Sequence, residues 1–380
     1  MISSFSRSSL PRKCFLVTIL LILVSGCAET RQVMRYGQAA EEKVWPPAPE
    51  TPRFRYVGQL TGEANFKDVE EGGAGKTIAN FFRALVGLGS EGAQTRTLHR
   101  PQSGLVDSTG RILVTDVGRN AIYVFDEKQG KFSVWNAASE EYSFASPVGI
   151  AEANSGDFLV TDSKLKRVIR LDNAGNPKGE FGSEDFGRPT GIAVDPSTGR
   201  IYVADTDEHN IKVFDESGKQ EQVIGQGGAG NGEFNTPTHL AFLDNILYVT
   251  DTFNARIQLL DPQGKFIKSI GKRGLFIGNL VRPKGVTADS EGNVYIIESF
   301  HDFLLVYDRN GRFLLPIGGT GSDVGQFYLP AGVWSDNRDR IYVADMFNGR
   351  VVIFQYLREG EATGSKAARQ PVLKNGLESR

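Results

Sequence analysis

The chain has 380 residues, 40% hydrophobic and 23% charged, with 44 glycines, a formal charge of -2 and an isoelectric point near 6.2. This balance excludes both a basic nucleic-acid footprint and an acidic disordered chain, and the length suits one large turn-rich domain. The two cysteines, Cys14 and Cys27, both lie near the N-terminus, so the rest of the chain has neither a disulfide framework nor a cysteine zinc site.

The N-terminus reads as a secretion signal. A polar start carrying Arg7, Arg12 and Lys13 precedes the apolar run Cys14 to Val24, which is too short to span a bilayer and suits a signal-peptide core. Val24-Ser25-Gly26-Cys27 resembles a bacterial lipobox, which implies cleavage after residue 26 and lipid on Cys27. Ala28 in place of Asp implies, by the same resemblance, sorting to the outer membrane, facing the periplasm or the exterior. Loss of the three basic signal residues takes the formal charge from -2 to -5. Residues 27–44 read as a polar tether, and Trp45-Pro46-Pro47-Ala48-Pro49 as a stiff lead-in.

Arg53 to Leu60 (RFRYVGQL) alternates like a strand. Residues 66–98 follow as an insertion. Within it, KTIANFFRALVGL (76–88) places Ile78, Phe81, Phe82, Leu85 and Leu88 at helical spacing and predicts one short helix across an end or side of the domain. GGAGKT just before it is not a phosphate loop, because Glu70 stands where the motif needs glycine.

From Pro101 a unit repeats. Pro101, Pro147, Pro189, Pro237, Pro283 and Pro330 each open an apolar run, at steps of 42 to 48 residues. Asp116, Asp162, Asp205, Asp251, Glu298 and Asp345 close the second run of each unit. Asp126, Asp172, Asp215, Asp261 and Asp308 close the third run in five of them. Thr236 to Gly271 is the cleanest copy, with four short runs of β-branched and aromatic residues separated by Asp, Asn, Gly and Pro. Four strands per unit and a period in the forties predict an all-β fold, a six-bladed β-propeller of four-stranded antiparallel blades. The sixth unit has only three runs, so Arg53 to Leu60 is expected to supply its outer strand and close the ring. The propeller then occupies 45–357, and 358–380 reads as a polar disordered tail.

The strings DTFNARIQLLDPQGKFIKSIG, DMFNGRVVIF and RPTGIAVDPSTGRIYVADTDEHNIKVFD resemble NHL repeats, and GQGGAGNGEFNTP and GGTGSDVGQFYLP resemble the glycine-rich loops between NHL blades. The resemblance covers roughly residues 98–357. It implies the propeller, but not one function, since such propellers serve as RNA binders, scaffolds, sensors and occasional lyases.

In a propeller the lead-ins to the innermost strands and the turns between second and third strands emerge on one face, which is the candidate site. Arg119, Lys164, Lys166 and Arg167 make the first two units basic there, and Phe253, Phe300 and Phe347 recur at one position in the last three. Asn254, Asn348, Arg256 and Arg350 follow the repeat's own grammar and read as structural. His209 and His301 fall on turns. His239 replaces a lead-in glycine and is expected to point toward the ring axis. That position resembles one used for zinc in amidating-lyase propellers related to the family. Those need several converging histidines, whereas the equivalent positions here are Gly104, Gly149, Gly191, Gly285 and Gly332, so neither a metal nor any other cofactor is expected.

The leading expectation is an envelope lipoprotein, a monomeric ring binding a protein partner and no nucleic acid. Two alternatives are a metal-dependent lyase or hydrolase at the channel mouth near His239, and a polyanion-binding module using the basic sector.

Overall fold

The computed structural model describes residues 32–37, 39, 41–68 and 96–358. The signal segment, Cys27, the helix expected over 76–88 and residues 359–380 lie outside the described residues. Six antiparallel sheets stand around a central channel. From the innermost strand outward, blade one is Pro101–Val106, Ile112–Asp116, Ala121–Asp126 and Lys131–Trp135. Blade four is Pro237–Leu243, Ile246–Asp251, Arg256–Leu260 and Phe266–Ile270. The innermost strands touch their neighbours in a closed cycle, so the fold is the six-bladed propeller expected.

Blade six confirms the closure. Val333–Ser335, Arg340–Asp345 and Arg350–Tyr356 come from the C-terminal end, and Phe54–Leu60 pairs on their outside, with Val351 opposite Leu60 and Tyr356 opposite Phe54. Alternation makes this possible: Phe54, Tyr56 and Leu60 are buried while Arg55, Val57 and Gln59 are only partly covered. Without this strand the edge of Arg350–Tyr356 would be unpaired.

Three segments differ from the sequence reading. Gln32–Met34, expected as tether, pairs with Phe66–Asp68, expected as the start of the insertion. Met34 and Phe66 are buried with Phe125 in the core that joins blades six and one. Val44–Trp45 also pairs, against Phe54 and Arg55. Shortness hid these strands, since each has only two or three residues and so shows no alternation to read.

The acidic residues of the repeat have two structural jobs. Those closing second strands accept backbone N–H groups of their own blade's lead-in: Asp116 from His99 and Arg100, Asp162 from Ala145 and Ser146, Asp205 from Gly187 and Arg188, Glu298 from Val281 and Arg282. Those closing third strands build the outer hairpin. Asp261 Oδ1, for example, accepts from Gln263 N at 3.0 Å and Lys265 N at 2.8 Å, with Gly264 at φ 87°. Blades are tied to each other by hydroxyls: Thr115 donates to Val148 O, Thr250 to Lys284 O and Thr252 to Pro283 O.

Candidate functional site

We call upper the face that carries the lead-ins and the turns between second and third strands. On it, Phe253, Phe300 and Phe347 occupy equivalent turns of blades four, five and six and are about half exposed. Phe253 and Phe347 sit in short 3-10 turns, Thr252–Asn254 and Met346–Asn348, each stopped by a left-handed residue, Ala255 or Gly349. Asn254 and Asn348 fix these turns by donating to Asp251 and Asp345 and to the preceding blade-to-blade loop, at Gly228 O and Gly321 O. Arg256 and Arg350 pair with the same two carboxylates at 2.8 Å. These four are structural, as read from the repeat. Tyr328 adds a ring edge-on to Phe347 at 5.5 Å, and the Arg100 guanidinium lies over the Phe347 ring.

The blade-to-blade loops carry a feature that the sequence reading missed. Residues 225–237, 271–283 and 318–330 share one framework, with parallel bridges Gly227 to Phe234, Arg273 to Leu280 and Thr320 to Phe327. Their tips differ: Ala229-Gly230-Asn231, Leu275-Phe276-Ile277 and Ser322-Asp323-Val324. Leu275, Phe276 and Ile277 are 72%, 83% and 56% exposed. The Arg273 guanidinium donates to Phe253 O, which sets this loop beside the aromatic row. The other exposed large apolar residues, Val33, Val223, Ile267, Phe313 and Leu314, lie on outer strands. Aligning the three loops by their glycines would have revealed the apolar tip.

The basic sector divides. Arg119, Lys164 and Lys166 are exposed on turns of blades one and two. Arg167 is instead partly buried and paired with Glu180 and Tyr142. His209 is structural, since its Nδ1 accepts the Thr236 N–H at 2.9 Å. His301 packs edge-on against Phe300 at 4.9 Å.

His239, expected to point toward the ring axis, is buried. At each neighbouring lead-in the glycine faces the next blade: a Cβ on Gly191 would lie 2.7 Å from His239 Cα, and one on Gly285 would strike Gly332 and Val333. His239 follows the same direction, so its ring enters the seam toward the lead-in of blade five and is only 8% exposed. Burial, with the charge of Lys284 beside it, pushes its pKa down to about 3. A histidine of such low proton affinity is a weak general base near neutral pH. Among the described residues no group of three or more His, Cys, Asp and Glu side chains is placed to hold a metal ion.

The family model described as NHL repeat matches residues 186–214, the inner three strands of blade three with their lead-in. The chain is 28% identical over 134 residues to the protein named brain tumor of Drosophila melanogaster, a stretch that is 34% of this chain and 13% of that one. Among solved structures it is similar to a catalytically inactive virginiamycin B lyase from Staphylococcus aureus with quinupristin, at 15% identity, TM-score 0.52, and 87% and 97% coverage of the two chains. An auxiliary nutrient binding protein from Bacteroides ovatus gives 15% identity, TM-score 0.53, and 69% and 70% coverage. At these identities the likeness establishes the fold alone.

Proposed function

We propose that this six-bladed propeller, with its NHL-repeat sequence, is a binding module tethered at a bacterial envelope by lipid on Cys27, and that it holds a protein partner on its upper face. The observation that carries this reading is the apolar row on blades four to six: Phe253, Leu275, Phe276, Ile277, Phe300 and Phe347 stand in water on a rigid ring. An exposed apolar patch on a fold with a well-filled core is the usual signature of an interaction surface, and aromatics supply most of the energy at such surfaces.

Chain geometry supports a protein rather than the anchoring bilayer as the occupant. Gln32 O abuts Gly130, in the lower turn between Ala121–Asp126 and Lys131–Trp135. Five residues of chain reach at most about 18 Å, so lipid on Cys27 keeps the lower rim near the membrane and turns the upper face away. Similarity to a nutrient-binding propeller agrees with a binding role.

The test uses the full-length chain in its envelope, with a photo-crosslinking residue replacing Phe276, Phe300 or Phe347, and Asn337 on the lower face as control. Discrete protein adducts from the upper positions and none from Asn337 support the reading. Lipid adducts alone, or equal adducts from both faces, refute it. The anchor is tested separately: Cys27→Ala should leave the chain unprocessed or free of membranes.

A further inference from the structure

We propose that the upper mouth of the channel is a binding site for an oxyanion that carries a hydroxyl, a hydroxy acid or a hydrogen phosphate, held by Lys284, Arg188, Arg282 and His239.

The residue just before the lead-in proline is arginine in alternate blades: Arg100, Arg188 and Arg282 in blades one, three and five. All three are exposed, and all three are fixed in the same way. Each N–H donates to the carboxylate closing its blade's second strand, at 3.1 Å to Asp116, 2.8 Å to Asp205 and 3.0 Å to Glu298. Each C=O accepts from the turn after that strand, from Val117, Thr206 and Ser299. The rim therefore fixes three arginine backbones around the mouth, with the Arg100 guanidinium over the Phe347 ring. None of the six lead-ins (RPQSG, SPVG, RPTG, TPTH, RPKG and LPAG) contains an acidic residue, and the exposed carboxylates of the blade-three turn, Asp207 and Glu208, lie beside Gly187 next to Arg188.

Lys284 lies one residue inside this rim. It is partly buried, and among the described residues its ammonium has neither an ion pair nor a hydrogen bond. Other cations drawn into the ring are paired, as Lys212 is with Asp205 at 2.9 Å and Arg111 with Asp107 at 2.7 Å. The carboxylate across the ladder from its lead-in is already engaged: Glu298, opposite Pro283, accepts from the backbone of Val281, Arg282 and Phe300. Burial and, after it, the charges of Arg282 and Arg188 lower the proton affinity of Lys284, so both guanidiniums act on its ammonium. A desolvated cation among like charges lacks an anion.

His239 adds the second requirement. Thr252 donates its single hydroxyl proton to Pro283 O, so in the 2.8 Å contact between Thr238 and Thr252 the donor is Thr238. Thr238 Oγ1 then accepts from His239 Nδ1 at 3.1 Å. The ring is the Nδ1–H tautomer, and Nε2 is a bare lone pair, buried and without a partner among the described residues. A lone pair repels a fully deprotonated oxyanion and accepts from a hydroxyl. A ligand with an oxyanion for Lys284 and the arginines and a hydroxyl for Nε2 satisfies both demands at once. Water satisfies only the second, and chloride only the first.

The purified protein is titrated near pH 7 at constant ionic strength with phosphate and glycolate, and in parallel with sulfate and acetate, which have no hydroxyl at that pH. Phosphate and glycolate should raise Tm progressively and bind measurably by calorimetry, with affinities at least tenfold above those of sulfate and acetate. Lys284→Met should abolish the response while matching or exceeding the ligand-free Tm of the unmodified protein. The surface double variant Arg188→Gln with Arg282→Gln, which leaves the ring's packing intact, should weaken binding at least tenfold and serves if Lys284→Met does not fold. No response to phosphate or glycolate, equal response to sulfate, or an undiminished response in these variants overturns the proposal.

Discussion

The two faces of the ring differ in how their charges are used. The lower face has a depression of about 760 Å³, lined by Asp107, Glu152, Asp289 and Asp336 among others. Those carboxylates are occupied. Asp289 accepts from the backbone of Glu291 and Asn293 and from the Tyr295 hydroxyl at 2.6 Å. Asp336 holds Arg340 at 2.7 Å and the Tyr342 hydroxyl at 3.0 Å, and Glu152 takes Ser108. Burial beside these carboxylates drives the Tyr295 and Tyr342 hydroxyls far above the ordinary phenol range, so both stay donors. On the upper face, Lys284 and a histidine lone pair are unmatched among the described residues, and the apolar row beside them is open. Unsatisfied chemistry marks a site better than the number of charges or the size of a hollow.

The sharpest way to break this comparison is to attack an upper-face charge that is satisfied. Asp251→Ala strands Arg256, Asn254, Gln258 and the Asn235 N–H. It should cost about 3–5 kcal/mol, the range for one half of a buried pair, read from urea denaturation. A smaller loss would mean that the anchors are dispensable. The seam histidine comes next. His239 has a native pKa of about 3 against an ordinary 6.5, so its contribution is complete above pH 6.5 and is lost as the pH falls toward 3. The limiting slope is about 1.4 kcal/mol per pH unit. His239→Gln should flatten that acid limb, and an unchanged limb would mean that the ring is solvated.

On the lower face, Asp336→Asn should cost about 1–3 kcal/mol, because Arg340 and Tyr342 lose their acceptor, while leaving any anion response at the upper mouth untouched. A changed response would join the two faces that the structure separates. The smallest effects belong to the apolar row and the exposed lysines. Phe276→Ser, and Lys164→Glu with Lys166→Glu, should each move stability by less than about 0.5 kcal/mol. For Phe276→Ser, loss of crosslinking at Phe300 without loss of stability would separate binding from folding.

The sequence by itself determined the ring. Periodic prolines, strand-length apolar runs and Asp-to-Gly turns are local chemistry repeated six times, and a blade with a missing strand has only one place to find it, so even the closure by Phe54–Leu60 was legible. The roles of Asn254, Asn348, Arg256 and Arg350 were legible for the same reason. Tertiary structure decided whatever depended on neighbours distant in the chain. Arg167 looked like surface charge until Glu180 and Tyr142 met it across its blade. Gln32–Met34 looked like tether until Phe66 gave it a partner. His239 was expected to point toward the axis, but the lead-in Cβ positions on either side of it, at Gly191 and Gly285, face the next blade, and the same direction takes His239 toward Lys284. The pattern of residues specifies which strands form, but whether a charge or a lone pair is satisfied depends on what six blades bring together around one channel.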